Sequence, residues 1–279
     1  MIRAALLAVV LVLCAGAQAA PQPVPHLRHV VVVVFENKGP GAVLGNRNAP
    51  AFNAFARAGA VLSGYRGVTN PSLPNYLALV SGSTHGITTD CTSCVVGGPS
   101  LADTLAAKGL TWKAYAEGIP RAGWTGAGAG RYAKKHVPFL YFRNVLARPA
   151  WLRNVVPLGR LSPRRLPDFA LVVPDLCHDM HDCPVRVGDA WLRRFLPPLL
   201  RLPDTAVFVT FDESYGPGNR VPALALGPLV RPGSRLAPAM THYGLLRTIE
   251  DGLGLPRLGR SARARPVTGI WKQGTPQRP

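Results

Sequence analysis

Residues 29–35 read HVVVVVF, and the polar pair Glu36 and Asn37 follows directly. A run that is apolar at every position is typical of a strand buried on both faces, as in a parallel sheet covered by helices. Comparable runs recur along the chain, at 110–115, 169–173 and 205–211 and within 221–230. We therefore predict a sheet of several such strands.

Helical patterns separate these apolar runs. They cover residues 51–59, 73–81, 100–108, 189–200 and 243–253. Strands that alternate with helices indicate an α/β fold. We predict a three-layer sandwich in which a mostly parallel central sheet lies between helices.

The charge of the chain is strongly unbalanced. Its 279 residues include 32 Lys and Arg against 14 Asp and Glu, a formal net charge of +18. A hydrophobic content of 47% excludes a disordered polyelectrolyte. The positive charge suits an anionic substrate, an anionic membrane surface or a nucleic acid.

The scarce acidic residues cluster after the apolar runs. Ligands of open α/β sheets bind beyond the carboxyl ends of the strands, and hard divalent cations take carboxylate and amide oxygens. Acids at such positions also serve as helix caps and turn formers. Six of the 14 acids follow three of the runs: Glu36, Asp175, Asp179, Asp182, Asp212 and Glu213.

A serine stands at a predicted helix start. Residues 69–82, TNPSLPNYLALVSG, indicate a turn, a helix and a glycine stop, with Pro74 in the first helical turn. Ser72 is then at or just before the helix N-terminus, where free N–H groups and the helix dipole favour a phosphate. Serine is also a common N-cap, and as a nucleophile it needs a base or a metal.

Residues 1–20 have the pattern of a secretory signal peptide. Arg3 is followed by an apolar segment at 4–14 and an A-x-A pattern at 17–19. We therefore expect a secreted or periplasmic protein. We predict a single domain over 21–279, with a poorly ordered Pro- and Arg-rich tail at 256–279.

Four cysteines remain after the signal peptide: Cys91, Cys94, Cys177 and Cys183. In an oxidising compartment they favour two disulfides, for which three pairings exist. Proximity in the sequence favours Cys91–Cys94 and Cys177–Cys183. A four-cysteine zinc site is the alternative.

Five short motifs occur in an order that resembles a known family. They are FEN at 35–37, PSLPNY at 71–76, PDLCHDMHD at 174–182, FDE at 211–213 and THY at 241–243. The chain resembles the phosphoesterase family of bacterial acid phosphatases and phospholipases C, within the alkaline-phosphatase-like superfamily. It is most similar to the branch of small secreted acid phosphatases that includes enzymes of the phosphatidylinositol-3-phosphatase type.

The resemblance implies an alkaline-phosphatase-like fold and a metal-dependent phosphomonoesterase that works through a phosphoserine. Ser72 corresponds to the nucleophile, which also touches the metal. The other residues implied to bind the divalent metal ion are Glu36, Asn37, Asp212 and Glu213.

Histidines complete the implied site. Residues 135–139, KHVPF, are similar to a KHNPF motif, with Val137 in place of Asn. The likeness implies catalytic roles for His136, His178 and His242 beside Ser72. The residues it implies for substrate binding are Asn75, His136, His178 and His181.

Other functions remain open from the sequence. The same nucleophile and metal suit a phosphodiesterase of the phospholipase C type. A non-enzymatic basic protein that binds nucleic acid or anionic lipid is another class, although no aromatic–basic interleaving indicates a specific nucleic acid. A sulfatase-like site is disfavoured because residues 72–76 lack the Arg of its maturation motif. The partner we expect is a small-molecule or lipid phosphate ester.

Overall fold

The computed structural model describes residues 23–272, so the predicted signal peptide lies outside the described residues. Twelve strands occur in this part of the chain. They are β1 His29–Phe35, β2 Ala60–Leu62, β3 Tyr65–Arg66, β4 Trp112–Ala116, β5 Gly128–Ala129, β6 Tyr132–Ala133, β7 Val155–Pro157, β8 Phe169–Val173, β9 Thr205–Phe211, β10 Ala223–Leu226, β11 Ser234–Leu236 and β12 Met240–Thr241.

Eight strands form the central sheet, in the order β11-β2-β10-β9-β1-β8-β4-β7. The valine-rich β1 lies in the middle, parallel to β8 on one side and β9 on the other. Only β10 runs antiparallel to its neighbours β9 and β2. The predicted α/β fold with a mostly parallel central sheet is confirmed.

Eight α-helices accompany the sheet within residues 23–272, together with short 3₁₀ turns. The helices are α1 Pro40–Val43, α2 Pro50–Ala58, α3 Ser72–Ser81, α4 Leu101–Ala107, α5 Arg143–Leu146, α6 Pro149–Leu152, α7 Val185–Phe195 and α8 His242–Leu253.

Consecutive residues at the end of β1 show the two layers. Phe35 packs against Phe52 of α2 and Trp191 of α7, with ring centroids 5.2 and 5.9 Å apart. The next side chain, Glu36, contacts Ser72 of α3. Successive side chains of a strand point to opposite faces, so α2 and α7 cover one face of the sheet and α3 the other.

Two element predictions differ from the structure. Helix α7 begins at Val185 and ends at Phe195, although the sequence pattern indicated 189–200. Pro197 and Pro198 follow this end, and proline lacks the N–H that a helix interior needs. Strands β2, β7 and β11 were not predicted from the sequence, because with three residues each they are too short for a periodic signal.

The expectation of a poorly ordered tail is wrong for residues 256–272. Ser261 is buried and donates a hydrogen bond to Glu250 of α8. Trp271 is also buried, and its indole N–H donates to the carbonyl of Val267. The apolar side chains within this Arg- and Pro-rich stretch hold it on the domain. Residues 273–279 lie outside the described part of the chain.

The structure contains both disulfides that sequence proximity favoured. Cys91–Cys94 and Cys177–Cys183 have Cα–Cα distances of 5.9 and 4.7 Å. The pairing prediction is confirmed, and a zinc site made of these four thiolates is excluded because the sulfurs are bonded to one another. No helix within residues 23–272 has the length and apolar character needed to cross a membrane.

Candidate active site

The carboxyl ends of three neighbouring strands meet at one edge of the sheet. Glu36 and Asn37 follow β1, Asp179 lies in the loop after β8, and Asp212 follows β9. The Glu36 N–H donates to the carbonyl of Asp179 at 2.9 Å, and the Asn37 N–H donates to Asp212 Oδ1 at 3.1 Å. Asn37 has a positive φ of 59°, which asparagine tolerates better than most residues. Hydrogen bonds between the loops therefore fix this group of acids.

Helix α3 presents Ser72 to Glu36. Ser72 is the first helical residue, and its hydroxyl donates to Glu36 Oε2 at 3.1 Å. Tyr76 lies one turn later on the same face, and its hydroxyl donates to Glu36 Oε1 at 2.6 Å. All three side chains are buried. The predicted nucleophile and the predicted metal residue are thus in direct contact.

The N-terminus of α3 has an acidic cap that sequence reasoning missed. Asp90 Oδ1 accepts from the Leu73 N–H at 2.9 Å, while its Oδ2 pairs with Lys135 Nζ at 2.9 Å. Asp90 directly precedes Cys91 of the short disulfide loop. Its partners Leu73 and Lys135 are 17 and 45 residues away along the chain, so no local pattern indicates these contacts.

Asn75 joins the turn before α3 to the end of β9. Its side-chain oxygen accepts from the N–H groups of Val68 and Thr69, at 2.8 and 3.1 Å. Its amide nitrogen donates to Glu213 Oε2 at 3.2 Å. These contacts hold Glu213 in the site, and the substrate-binding role remains a prediction.

His136 lies buried between two acids. Its ring stacks on Tyr76 with centroids 5.2 Å apart. Its Nε2 is 3.3 Å from Glu36 Oε1, and its Nδ1 is 3.5 Å from Asp179 Oδ2. Burial, reinforced by Lys135, lowers the pKa of His136 to about 3. The imidazole is therefore neutral at physiological pH.

Burial also favours the protonated form of the acids. It raises the pKa of Glu36 well above the ordinary value, with further contributions from Asp212 and Asp179. It raises the pKa of Asp179 and of Glu213 to about 7 each. For Asp212 the direction is the same, although His136 and the Asn37 N–H oppose it. Several acids in one buried site repel one another, so a cation here would stabilise the charged forms.

The donor set fits a divalent metal ion. Three buried oxygens of the predicted metal residues have no hydrogen-bond partner within residues 23–272: Asn37 Oδ1, Asp212 Oδ2 and Glu213 Oε1. Buried acceptors without partners are costly, and carboxylate and amide oxygens are the ligands that hard divalent cations prefer. Glu36 also belongs to a second set of possible metal ligands. Ligand atoms of Glu36, His136 and Asp179 lie within 4.8 Å of one another.

His242 supports the site from behind. It is the first residue of α8 and is buried. Its Nε2 is 2.6 Å from the carbonyl oxygen of Asp212, and its Nδ1 is 3.0 Å from the hydroxyl of Tyr65. Burial lowers its pKa to about 4. These contacts position the main chain of Asp212, and the catalytic role that the resemblance implied for His242 remains a prediction.

His178 belongs to another group of side chains. Its Nδ1 is 2.9 Å from Glu117 Oε2 and 3.5 Å from Asp175 Oδ1, and its ring stacks on Trp191. Glu117 follows β4, so this group lies at the ends of β4 and β8. Its contacts are therefore separate from those of Ser72.

His181 is nearer to the buried site. It is half-buried, and its ring centroid is 6.2 Å from that of His136. Its Nδ1 is 2.6 Å from Asp182 Oδ1, and its N–H donates to Asp179 Oδ1. His181 thus lies at the rim of the site. Its role in substrate binding remains a prediction.

The fold places the chain in a structural class. A crystal structure of an alkaline phosphatase superfamily protein from Vibrio parahaemolyticus superposes with a TM-score of 0.59 at 14% identity, covering 88% of this chain and 72% of that one. The fold is therefore alkaline-phosphatase-like. The profile of the Phosphoesterase family matches residues 42–256, and the chain belongs to this family of phosphoric ester hydrolases.

Two relatives are similar over most of this chain. Phosphatidylinositol-3-phosphatase of Mycobacterium tuberculosis is 38% identical over 259 residues, which cover 90% of this chain and 85% of that protein. A probable acid phosphatase of Kluyveromyces lactis is 32% identical over 226 residues, 74% of this chain. The match spans 54% of the yeast protein, so the chain corresponds to about half of that relative.

Proposed function

We propose that this protein is a metal-dependent phosphomonoesterase that forms a phosphoserine at Ser72. One observation carries the proposal: the Ser72 hydroxyl, at the N-terminus of α3, donates to a buried carboxylate of Glu36. The names of the relatives, a phosphatidylinositol-3-phosphatase and an acid phosphatase, support a monoester as substrate.

The substrate phosphate binds at the start of α3. The positive end of the helix dipole attracts it there, while the Leu73 N–H is already bonded to Asp90 and Pro74 has no N–H to offer. Lys135 adds a positive charge. Burial lowers its pKa, but Asp90, with Glu36 and Asp212, raises it above the ordinary value, so the ammonium stays charged.

Ser72 Oγ attacks phosphorus, and the bond to the ester oxygen breaks. The hydroxyl proton passes to Glu36 Oε2, to which it already donates. The departing alcohol takes up the proton of Asp179, whose pKa burial raises to about 7, relayed through the neighbouring neutral imidazole of His136. Water then attacks the phosphoserine, which releases phosphate and restores the Ser72 hydroxyl.

A divalent ion held by Glu36, Asn37, Ser72, Asp212 and Glu213 would neutralise charge on the phosphate oxygens. Other side chains of the protein hold these metal-binding residues in place. Tyr76 holds Glu36 towards Ser72, Asn75 holds Glu213, and His242 holds the main chain of Asp212. The site is thus fixed before substrate arrives, which lowers the cost of organising the transition state.

The proposed location is outside the cytoplasm. Two disulfides within residues 23–272 are typical of proteins in oxidising compartments. The signal-like segment at 1–20 agrees with this location.

Ser72→Ala tests the nucleophile. We expect phosphate release from p-nitrophenyl phosphate to fall by about a thousandfold or more, because the variant loses the hydroxyl that attacks phosphorus in the proposed reaction. Acid quenching of the wild type with a ³²P-labelled monoester should trap label in the peptide that contains Ser72. Ser81→Ala, at the opposite end of α3, is the matched control and should keep near-normal activity. Full activity in the Ser72 variant would overturn the proposal.

Asp212→Asn tests the metal. Dialysed wild-type protein should rebind close to one divalent ion per chain, measured by mass spectrometry of the metal content. The variant should bind it at least about tenfold more weakly, because it loses one negative ligand. Comparing mono- and diester substrates on the metal-loaded protein separates a phosphatase from a phosphodiesterase. Equal metal affinity in the variant would contradict the ligand assignment.

A further inference from the structure

A cavity lies away from Ser72, over the outer part of the sheet. Its volume is about 660 Å³. Strand β4 and the segment after β7 line it. The lining residues are Lys113, Tyr115, Gly159, Arg160, Leu161, Ser162 and Arg165, and we call this space the cationic cavity.

Strand register explains why the cavity exists. Lys113 and Tyr115 pair with Ala170 and Val172 of β8, which in turn pair with Val31 and Val33 of β1. These residues share the face of the sheet on which α2 and α7 pack over β1. Over β4 the cover consists of the 3₁₀ turns Leu158–Arg160 and Pro163–Arg165. Short turns cover less area than a helix, so a space remains.

The cavity gathers positive charge without a counter-charge. Lys113 is half-buried in the strand, and Arg160 and Arg165 stand at the rim. Within the part of the chain that the structure describes, none of these three side chains has an ion pair or a hydrogen-bond partner. The lining contains no carboxylate. Like charges held together in a concave site repel one another and raise the local affinity for an anion.

The nearest acid along β4 is already engaged. Glu117 stands two residues after Tyr115, but its Oε2 contacts His178 Nδ1 and accepts from the Asp175 N–H. Tyr115 and Ser162 add two hydroxyl groups to the lining. Burial raises the pKa of Tyr115 to about 12, so its hydroxyl keeps its proton and can donate.

We propose that the cationic cavity binds a phosphate-bearing polyanion, as a site separate from the catalytic one. A guanidinium group can donate two parallel hydrogen bonds to one phosphate, and a lysine supplies a point charge. The hydroxyls add further donors. The volume lies in the range of small-molecule sites and exceeds the need of a single phosphate. The same chemistry suits a soluble bisphosphate and the headgroup of a phospholipid.

Calorimetry with methylenebisphosphonate tests the site, since its P–C–P bridge resists hydrolysis. Arg160→Gln combined with Arg165→Gln should weaken the binding of methylenebisphosphonate at the cationic cavity by about tenfold or more, because two donors to phosphate are lost. The matched control combines Arg47→Gln with Arg201→Gln, which removes the same charge from exposed positions outside the cavity. The control should change the affinity by less than about twofold. Equal weakening in both variants, or in neither, would overturn the proposal.

The reactivity of two lysines towards acetylation shows whether the bisphosphonate binds in the cavity or at the catalytic site. Acetylation by a water-soluble reagent, read by peptide mass spectrometry, reports Lys113 in the cavity and Lys135 beside Asp90. Bisphosphonate should slow acetylation of Lys113 in the wild type, and the Arg160/Arg165 double variant should lose this protection. Unchanged Lys113 reactivity in the wild type would contradict binding in the cavity.

Vesicles distinguish the two sources of the anion. Cosedimentation with phosphatidylcholine vesicles containing phosphatidic acid, lost in the double variant but not in the control, would assign a lipid headgroup. Bisphosphonate binding without vesicle binding would assign a soluble ligand. The double variant should hydrolyse p-nitrophenyl phosphate within about twofold of the wild type, which shows that it is folded and that the catalytic site is independent.

Discussion

At the scale of single residues, Glu36 organises the site. It is fully buried, and its two carboxylate oxygens receive the hydroxyls of Ser72 and Tyr76. His136 approaches the same carboxylate from the other side. A buried carboxylate needs such partners because an isolated charge in the protein interior is strongly unfavourable. The partners that stabilise Glu36 are the groups that the proposed reaction uses.

Asp179→Asn tests the proton relay at this scale. Asp179 Oδ2 is near His136 Nδ1 and has no hydrogen-bond partner within the described residues. We expect kcat to fall by about tenfold with KM within about threefold, because the change removes the proton relayed through His136 rather than a contact with phosphate. Steady-state kinetics and metal content measure the two effects. Asp182→Asn, whose partner His181 is at the rim, is the control; an equal loss of kcat there would contradict the prediction.

At the scale of elements, α3 has both ends fixed from outside. Asp90 accepts from the N–H of Leu73 at the start. Gly82 ends the helix with a φ of 72°, and its carbonyl accepts from the Arg260 N–H. A Cβ at this position would collide with the carbonyl of Leu258. The close approach of the tail to α3 therefore requires glycine.

Helix α2 depends on an acid of α7 for its start. Its own cap position, Ala49, offers no side-chain acceptor, and Asp189 accepts from the N–H groups of Ala51 and Phe52 at 3.1 and 2.8 Å. Asp189→Ala should lower the free energy of unfolding by about 3 kcal/mol, since two buried donors lose a charged acceptor. Urea denaturation measures this change.

The control for this prediction is Asp103→Ala in the capping box of α4. Asp103 is half-buried and accepts from the Ser100 N–H. We expect a cost of about 1 kcal/mol, as for an ordinary cap. A cost for Asp189→Ala no larger than that of the control would show that α2 does not depend on α7 for its N-terminus.

At the scale of the whole molecule, charge is distributed unevenly. The chain carries 32 basic and only 14 acidic residues. Several of these acids lie close together just after strands β1, β8 and β9. Basic side chains that line the cationic cavity have no acidic neighbours in its lining. Within residues 23–272, acids thus gather at the ends of the central strands, while the lining of the cationic cavity is basic.

Stability should depend on pH through Glu250 of α8. Burial raises the pKa of Glu250 to about 7, although Ser261 and the Leu258 N–H oppose the shift. The folded state therefore holds this proton more tightly than the unfolded state, whose pKa is near 4.5. The contribution is fully present below pH 4.5 and is lost as pH rises through about 7.

Glu250→Gln removes this dependence. The wild type should lose more Tm between pH 5 and pH 8 than the variant does, measured on metal-loaded protein by differential scanning calorimetry. Asp251→Asn, at the neighbouring position, should keep the wild-type difference. A pH response of Glu250→Gln identical to that of the wild type would contradict the prediction.

Local patterns in the sequence determined much of this protein. Runs such as 29–35 predicted buried parallel strands, because every residue of such a strand faces a helix layer. Polar residues after these runs pointed to one edge of the sheet, and Glu36, Asp179 and Asp212 do meet there. Short separations along the chain also predicted both disulfides.

Only the tertiary structure decided which histidine contacts which of the distant acids. His136 joins Glu36 and Asp179, His178 joins Glu117, and His242 holds the main chain of Asp212. Asp90 reaches the start of α3 from beyond its end. Periodicity reports which face of an element is buried, but it carries no information about which remote side chain arrives there. Those pairings depend on how the loops pack and on which buried charge needs a partner.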